Sequence, residues 1–271
     1  MAHTQTIEPV RLTDQQLVRY DMDFIDDELF ASITGCIDAQ LGPEFSFVDV
    51  GGGIGGFTDR LLAAYPGARG VVLDNAPALL DKNERSDRKT LVLAGAEELD
   101  RIFGAERFDI VFLNYALHHF VLPSYGATRR LQRSVLSASR GLLTERGAVS
   151  LCENMANGRY LPNLPGRLVF GMTSLRALAP LVRRLGANTA GTGVCFNARS
   201  TWYADLADAG FAVDHYSERS WSGQLSTLKR TLLTIDRWTG AHVWATPLST
   251  ARSRGGTSDG RTISTSRADR P

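Results

Sequence analysis

Between residues 46 and 152 the chain alternates two patterns of apolar residues. Short, mostly apolar runs occur at 46–50, 70–73, 91–93, 108–113 and 147–152. Runs of this length, closed by turn-forming or polar residues, predict strands covered on both faces. In the intervening segments the apolar positions recur at helical intervals, which predicts helices at 57–65, 77–83, 97–103 and 125–143. Strands and helices alternating through short joints predict a parallel sheet with helices packed on both sides.

The flanks read differently. Over 13–41, Leu29, Phe30, Ile33, Cys36, Ile37 and Leu41 fall at helical spacing, and Thr13 and Gln16 have the spacing of a capping box. Residues 1–41 are therefore expected to be an N-terminal helical cap on one α/β domain spanning 42–247. Past Glu153, Leu168, Val169, Phe170, Met172, Leu175, Leu178, Leu181, Val182 and Leu185 make the richest apolar run, enclosed by Pro-, Gly- and Asn-rich ends. Segment 154–196 thus reads as a helical insertion after the fifth strand, built as core, dimer face or substrate lid, with Phe170 and Met172 as acceptor contacts in the last case. Asn197 is expected to N-cap a helix through Asp208, with Gly210 at its C-terminal end. A strand at 211–215 and a last one at 242–245 follow. From 248 to 271 the chain is rich in Ser, Thr, Arg and Gly, a composition that predicts a disordered tail.

Composition narrows the partners. The 271 residues are 43% hydrophobic and 22% charged, with a formal net charge of +1, so neither nucleic acid nor a membrane surface is indicated. Cys36, Cys152 and Cys195 are far apart, which argues against a disulfide framework or a cysteine zinc site. No signal-peptide pattern opens the sequence, and no apolar stretch approaches the ~20 residues of a membrane span. A cytoplasmic globular protein, monomeric or homodimeric, is the expectation.

The most informative phrase is Phe47-Val48-Asp49-Val50-Gly51-Gly52-Gly53-Ile54-Gly55-Gly56-Phe57-Thr58. A buried strand runs into a glycine turn and then a helix start, where backbone amides face an incoming ligand and glycines let it approach closely. A bare strand-to-helix turn would need only one or two of these glycines. Gly51, Gly53 and Gly56 satisfy the GxGxxG of dinucleotide sites, whereas Gly51, Gly53 and Gly55 satisfy GxGxG. Asp74, 19 residues beyond Gly55 at the end of the second strand, suits a ribose in either case. Asp49 decides between them: a carboxylate there sits badly beside a pyrophosphate and well beside an ammonium group.

With that choice the phrase resembles the first motif of class I S-adenosylmethionine-dependent methyltransferases, and further segments follow in that family's order. Val71-Val72-Leu73-Asp74 is similar to the acidic ribose-binding segment, and Ala94-Gly95-Ala96-Glu97-Glu98-Leu99 to the segment facing adenine. Residues 108–114 with Leu117-His118-His119-Phe120 resemble the fourth strand and its loop in small-molecule methyltransferases. Residues 140–149 and 193–213 resemble the closing helix and strands. The resemblance covers about residues 46–246. It implies a Rossmann-like fold with a mostly parallel seven-stranded sheet flanked by helices. It also implies S-adenosyl-L-methionine as cofactor, held by Asp49, Gly51, Gly53, Gly55, Asp74, Asn75, Ala96, Glu97 and Asn114. The family usually has Asp where Gly95 stands, and Glu97 is the replacement expected for an adenine contact.

Methyl transfer needs a nucleophile held in line and partly dehydrated, and a protonated acceptor also needs a base. Asn114, Tyr115, His118, His119, Glu153 and Asn154 fall at the carboxyl ends of the fourth and fifth strands, where open α/β sheets bind ligands. His118 and His119 are the candidate bases, His119 favoured, against the plainer reading of a pocket-lining histidine. Glu153 is a candidate base or orienting group, against a surface carboxylate. His242 reads as structural, and no residue spacing indicates a metal.

The expected function is methylation of a small acceptor, apolar or aromatic, of the kind found in secondary metabolism, on O, N or C. The alternatives are a nicotinamide-dependent oxidoreductase and a methyltransferase-fold protein that binds the cofactor but catalyses something else. A nucleic-acid methyltransferase fits less well: Asn114-Tyr115 resembles the Asn-Pro-Pro-Tyr loop without its prolines, on a chain that is not basic.

Overall fold

The computed structural model describes residues 9–17, 24–221 and 225–248. Seven strands form one sheet in the order β3-β2-β1-β4-β5-β7-β6. They are β1 Ser46–Val50, β2 Arg69–Asp74, β3 Lys89–Leu93, β4 Phe108–Asn114, β5 Leu143–Gly158, β6 Phe211–Ser220 and β7 Ile235–Pro247. Strands β1 to β5 pair in parallel, and β7 runs antiparallel to both of its neighbours. The order reverses between β1 and β4, which opens a crevice at their carboxyl ends. β4 lies mid-sheet: Val111 and Leu113 pack into one core while Ile110 and Phe112 pack into the other. A strand covered on both faces has no reason to alternate apolar with polar, which is why it reads as a continuous run.

The described helices are α1 Asp14–Leu17, α2 Asp27–Gln40, α3 Gly56–Ala64, α4 Pro77–Leu80 and α5 Leu99–Phe103, followed by α6 Tyr125–Gly141, α7 Leu164–Ser174, α8 Ala179–Arg184, α9 Arg199–Asp208 and α10 Thr227–Leu232. The N-terminal segment is not one continuous helix. Half of the capping box forms at the start of α1, where the Thr13 N–H and Oγ1 both donate to Gln16 Oε1, at 3.0 and 3.1 Å. Residues 24–26 are not helical, and Asp26 N-caps α2 by accepting from the Leu29 N–H. The part of that prediction at 18–23, and the tail from 249, lie outside the described residues.

The later strands outrun their apolar signal. β5 continues to Gly158, so the insertion leaves the sheet there and not at 154, and β7 begins at Ile235 because polar residues extend its ladder with β5. Asn197 does not cap α9. It is fully buried, and its Nδ2 donates to Gln132 Oε1 at 3.0 Å. The amides at the start of α9 are satisfied from the insertion, Ala198 N–H by Asn163 Oδ1 and Arg199 N–H by Asn157 Oδ1. A cap supplied from 35 to 42 residues away leaves no local sequence signature. The short helix α10 also carries no strong signal: none of its residues is buried.

Candidate active site

The glycine loop joins β1 to α3 at the crevice. Gly51 has φ +77°, and a Cβ there would meet Ala116 Cβ at 2.8 Å, so both conformation and space demand glycine. Gly53 has φ +55° and its N–H donates to Asp74 Oδ2 at 2.9 Å, while Asn83 Nδ2 holds the Gly53 carbonyl from behind. Gly55, also left-handed, caps α3. Asp74 Oδ1 accepts from the Ala76 N–H at 2.8 Å. Desolvation raises the Asp74 pKa above the ordinary carboxylate value, against the pull of the Ala76, Gly53 and Asn75 backbone bonds. Each oxygen still has acceptor capacity for a hydroxyl, since a carboxylate offers about four lone-pair sites. Asp49 is buried under the loop, its Oδ2 accepting from Thr58 Oγ1 at 3.0 Å.

A cavity of about 760 Å³ runs from this loop to the later strands. Asp49, Gly51, Gly53, Asp74, Asn75, Ala96 and Asn114 line it from the glycine loop and the strand ends, and Tyr115, His118, His119, Phe196, Trp221 and Trp238 also line it. Its volume lies inside the ~300–1,000 Å³ usual for ligand sites. Among the described residues neither Oδ1 nor Nδ2 of Asn114 has a partner, although both atoms are buried. A buried amide left without partners costs about 1–3 kcal/mol, which makes Asn114 a candidate ligand contact. Tyr115 follows with φ +51°, a strained conformation for a bulky residue at the cavity wall. Gly55 and Glu97 do not line the cavity. The Glu97 carboxylate instead folds over Gly95, where a side chain at 95 would begin.

Glu153, fully buried on β5, is neither a surface carboxylate nor a cavity wall. Its Oε2 lies 2.6 Å from His118 Nδ1, and its Oε1 accepts from the His118 N–H at 3.2 Å. The Asn154 N–H donates to Oε2 at 3.2 Å. A buried carboxylate persists only with such pairing. The His118 ring is wedged between His119, at 4.1 Å between centroids, and Phe196, at 5.0 Å. At His119, desolvation together with the His118 charge pushes the pKa well below the usual imidazole value. The two histidines therefore differ: one is oriented by an acid, the other is held neutral. His242 lies elsewhere, buried between Ser32 and Ser150.

Several cavity residues have no counterpart in the sequence reading. Val10 and Leu12 reach it from the N-terminal segment, Phe24 and Ile25 from the approach to α2, Trp221 from just past β6 and Trp238 from β7. Their only advance signal is aromatic or apolar type. The insertion contributes Val169, Thr173, Thr189 and Val194. Phe170 and Met172 face away, Phe170 against Val121 and Cys195, Met172 against Ala179 and Val182.

A family model described as "Methyltransferase domain" matches residues 48–149. A search of curated proteins gives no match. Among solved structures, a LepI variant in complex with SAH and a substrate analogue superposes with a TM-score of 0.54 at 13% identity. The match covers 86% of this chain and 51% of LepI, so the chain spans about half of that protein's length. A methyltransferase-like protein from Bacillus halodurans gives 0.51 at 18% identity, covering 80% of this chain and 96% of its own. A SAM-dependent methyltransferase from Methanosarcina mazei gives 0.53 at 15%, covering 79% and 97%. Strand order and family match agree: residues 48–149 match a methyltransferase domain, and the described chain shares the overall fold of these solved methyltransferase structures.

Proposed function

We propose that the chain methylates a hydroxyl group on a small aromatic acceptor, using S-adenosylmethionine, and that His118 is the base. The observation that carries this reading is the His118–Glu153 pair at 2.6 Å, with His118 on the wall of the cavity that the glycine loop also lines. The glycine-loop and strand-end residues fit the cofactor: an amide without a protein partner at Asn114, a cradle at Gly51 that a Cβ would fill, and carboxylates at Asp49 and Asp74. Asp74 would take the ribose hydroxyls and Asp49 the ammonium group. When bound, the cofactor supplies an electrophilic methyl group carried on sulfur.

The remaining work belongs to the protein. Glu153 holds His118 Nδ1–H, which fixes the tautomer and leaves Nε2 to accept the acceptor's proton. Phe196, Trp221 and Trp238 stack the acceptor and keep water out. His119, uncharged beside the pair, lets the proton settle on His118 without a second positive charge. The free cysteines support a place in the reducing cytoplasm, and the aromatic pocket supports a role in secondary metabolism. Among the described residues, no helix is long and apolar enough to cross a membrane.

The test is incubation with methyl-labelled cofactor and a panel of phenols, matched anilines and aliphatic alcohols. Labelled methyl ether on a phenol, lost in His118→Ala, is the expected outcome. Transfer only to anilines, or undiminished transfer by His118→Ala, would overturn the assignment.

A further inference from the structure

Outside the cavity, helix α2 crosses the antiparallel pair β6 and β7, and there a second cluster of chemically capable side chains meets. One donor atom from each of Cys36, His215 and His242 lies within 4.8 Å of the others. Cys36 is partly buried, His215 exposed and His242 fully buried. Ser32 stands one helical turn before Cys36 on the same face of α2. Its Oγ is 3.1 Å from His215 Nε2, 2.9 Å from His242 Nδ1 and 3.0 Å from Ser217 Oγ.

We propose that Cys36, His215 and His242 form a site for a zinc-like divalent cation, with Ser32 or a water as fourth donor. The geometry is close to what the ion needs. Zinc holds nitrogen at about 2.0–2.1 Å and thiolate at about 2.3 Å in a tetrahedron, so donor atoms stand roughly 3.3–3.6 Å apart. The two oxygen–nitrogen edges are already at that scale, and closing the remaining edges from 4.8 Å takes a side-chain adjustment. The donor set, one soft thiolate with two imidazoles, suits zinc or cobalt rather than magnesium or calcium.

The surroundings fit as well. His242 Nε2 lies 3.2 Å from the buried Ser150 Oγ. With Nε2–H given to that oxygen, the Nδ1 lone pair points at the cluster, the arrangement that metal-binding histidines use. Asp214 is close enough for its charge to act on Cys36, and its negative charge offsets part of the cation's. A surface opening of about 340 Å³, lined by Ser32, His215 and Ser217, gives an ion a way in. The sequence carries no warning of such a site because the three ligands are brought from α2, β6 and β7, with no short spacing between them.

Such a site would pin α2, and with it the segment carrying Phe24 and Ile25, to the edge of the sheet. The inference is independent of the methylation chemistry. It is tested on the full chain, reduced, stripped with chelator and titrated with cobalt and then zinc. The expected result is one equivalent of cobalt giving tetrahedral visible absorption with a thiolate charge-transfer band, displaced by zinc. Zinc at 100 times its Kd should raise the melting midpoint by about 5–10 °C. Cys36→Ser should lose the charge-transfer band, and His215→Ala, an exposed change that the fold tolerates, should weaken cobalt binding at least tenfold. Absence of saturable binding, or binding unaltered in both variants, would overturn the site and leave the cluster a plain hydrogen-bond network.

Discussion

The two groups of residues that line the cavity are built on different principles. The glycine-loop group comes from the carboxyl ends of neighbouring parallel strands buried on both faces, and from backbone conformations such as the left-handed Gly51 and Gly53. The other group is assembled from separated segments tied by side chains. Gln16 Nε2 donates to the Asn188 carbonyl at 2.7 Å and to Thr192 Oγ1 at 3.1 Å, and Asn188 Nδ2 returns a bond to the Gln16 carbonyl. Over the insertion Leu175, Leu181 and Leu185 remain more than half exposed, so little apolar burial holds it down. On the proposed reading, the cofactor is met by neighbouring strand ends and the acceptor by segments from separate parts of the chain.

The largest expected effect separates the two groups by chemistry. His118→Ala should lower turnover about 10²–10⁴-fold while leaving cofactor affinity within about twofold, because the base acts only in the transition state. Glu153→Gln should give a smaller loss, since the ring stays in place with its tautomer less firmly set. His119→Ala should cost less than either. Steady-state kinetics paired with cofactor calorimetry check all three. Wild-type turnover by His118→Ala between about pH 6 and 9 would mean that positioning alone suffices.

The same division explains what the sequence reveals. The loop, Asp74, Asn114 and both histidines are legible because each sits at a strand end within a local apolar-then-glycine or apolar-then-polar pattern. The choice between the histidines is not legible. The sequence reading favours His119, and only tertiary structure brings Glu153, 35 residues on, to His118 Nδ1. Trp221 and Trp238 are invisible because β6 and β7 hold polar residues along an antiparallel edge, where burial is partial and the apolar pattern lapses. Phe170 reads as a lid contact on hydrophobicity alone, yet in a short helix the largest apolar residues go to the core and the smaller Val169 and Thr173 to the cavity.

Next in size is Asp74→Ala, a change confined to the glycine-loop group. Hydrogen bonds to charged groups contribute about 1.5–3 kcal/mol, so cofactor affinity should fall at least about tenfold, with kcat at saturating cofactor little altered. Isothermal titration on the folded variant checks this, and unchanged affinity would remove Asp74 from the site. The carboxyl also sets a pH dependence. Its pKa is raised in the fold by desolvation, so on acidification it protonates before an ordinary aspartate does. The proton blocks acceptance of the ribose hydroxyls. Affinity should therefore weaken on acidification from neutrality, beginning above the ordinary aspartate range, and Asp74→Asn should flatten that dependence. The sign for stability is opposite: an ionised Asp74 with a raised folded pKa costs stability above the unfolded pKa, and that cost is relieved as pH falls.

The smallest effects should sort the insertion's two faces. Val169 lines the cavity and Phe170, one residue on, packs against Val121, Tyr125 and Cys195. Removing two carbons from Val169 forfeits about 0.8 kcal/mol for each CH₂ equivalent it buries against the acceptor. Val169→Ala should thus raise the acceptor KM by no more than about fifteenfold, with kcat and melting midpoint nearly unchanged, because the contact serves ground and transition states alike. Phe170→Ala should do the reverse. Truncating a buried phenylalanine costs about 3–5 kcal/mol, and the loss should appear as a lower midpoint or a frayed insertion before it appears in KM. A crossed result, with Phe170→Ala altering KM at unchanged stability, would mean that the insertion rotates when acceptor binds and that its core face becomes the wall of the pocket.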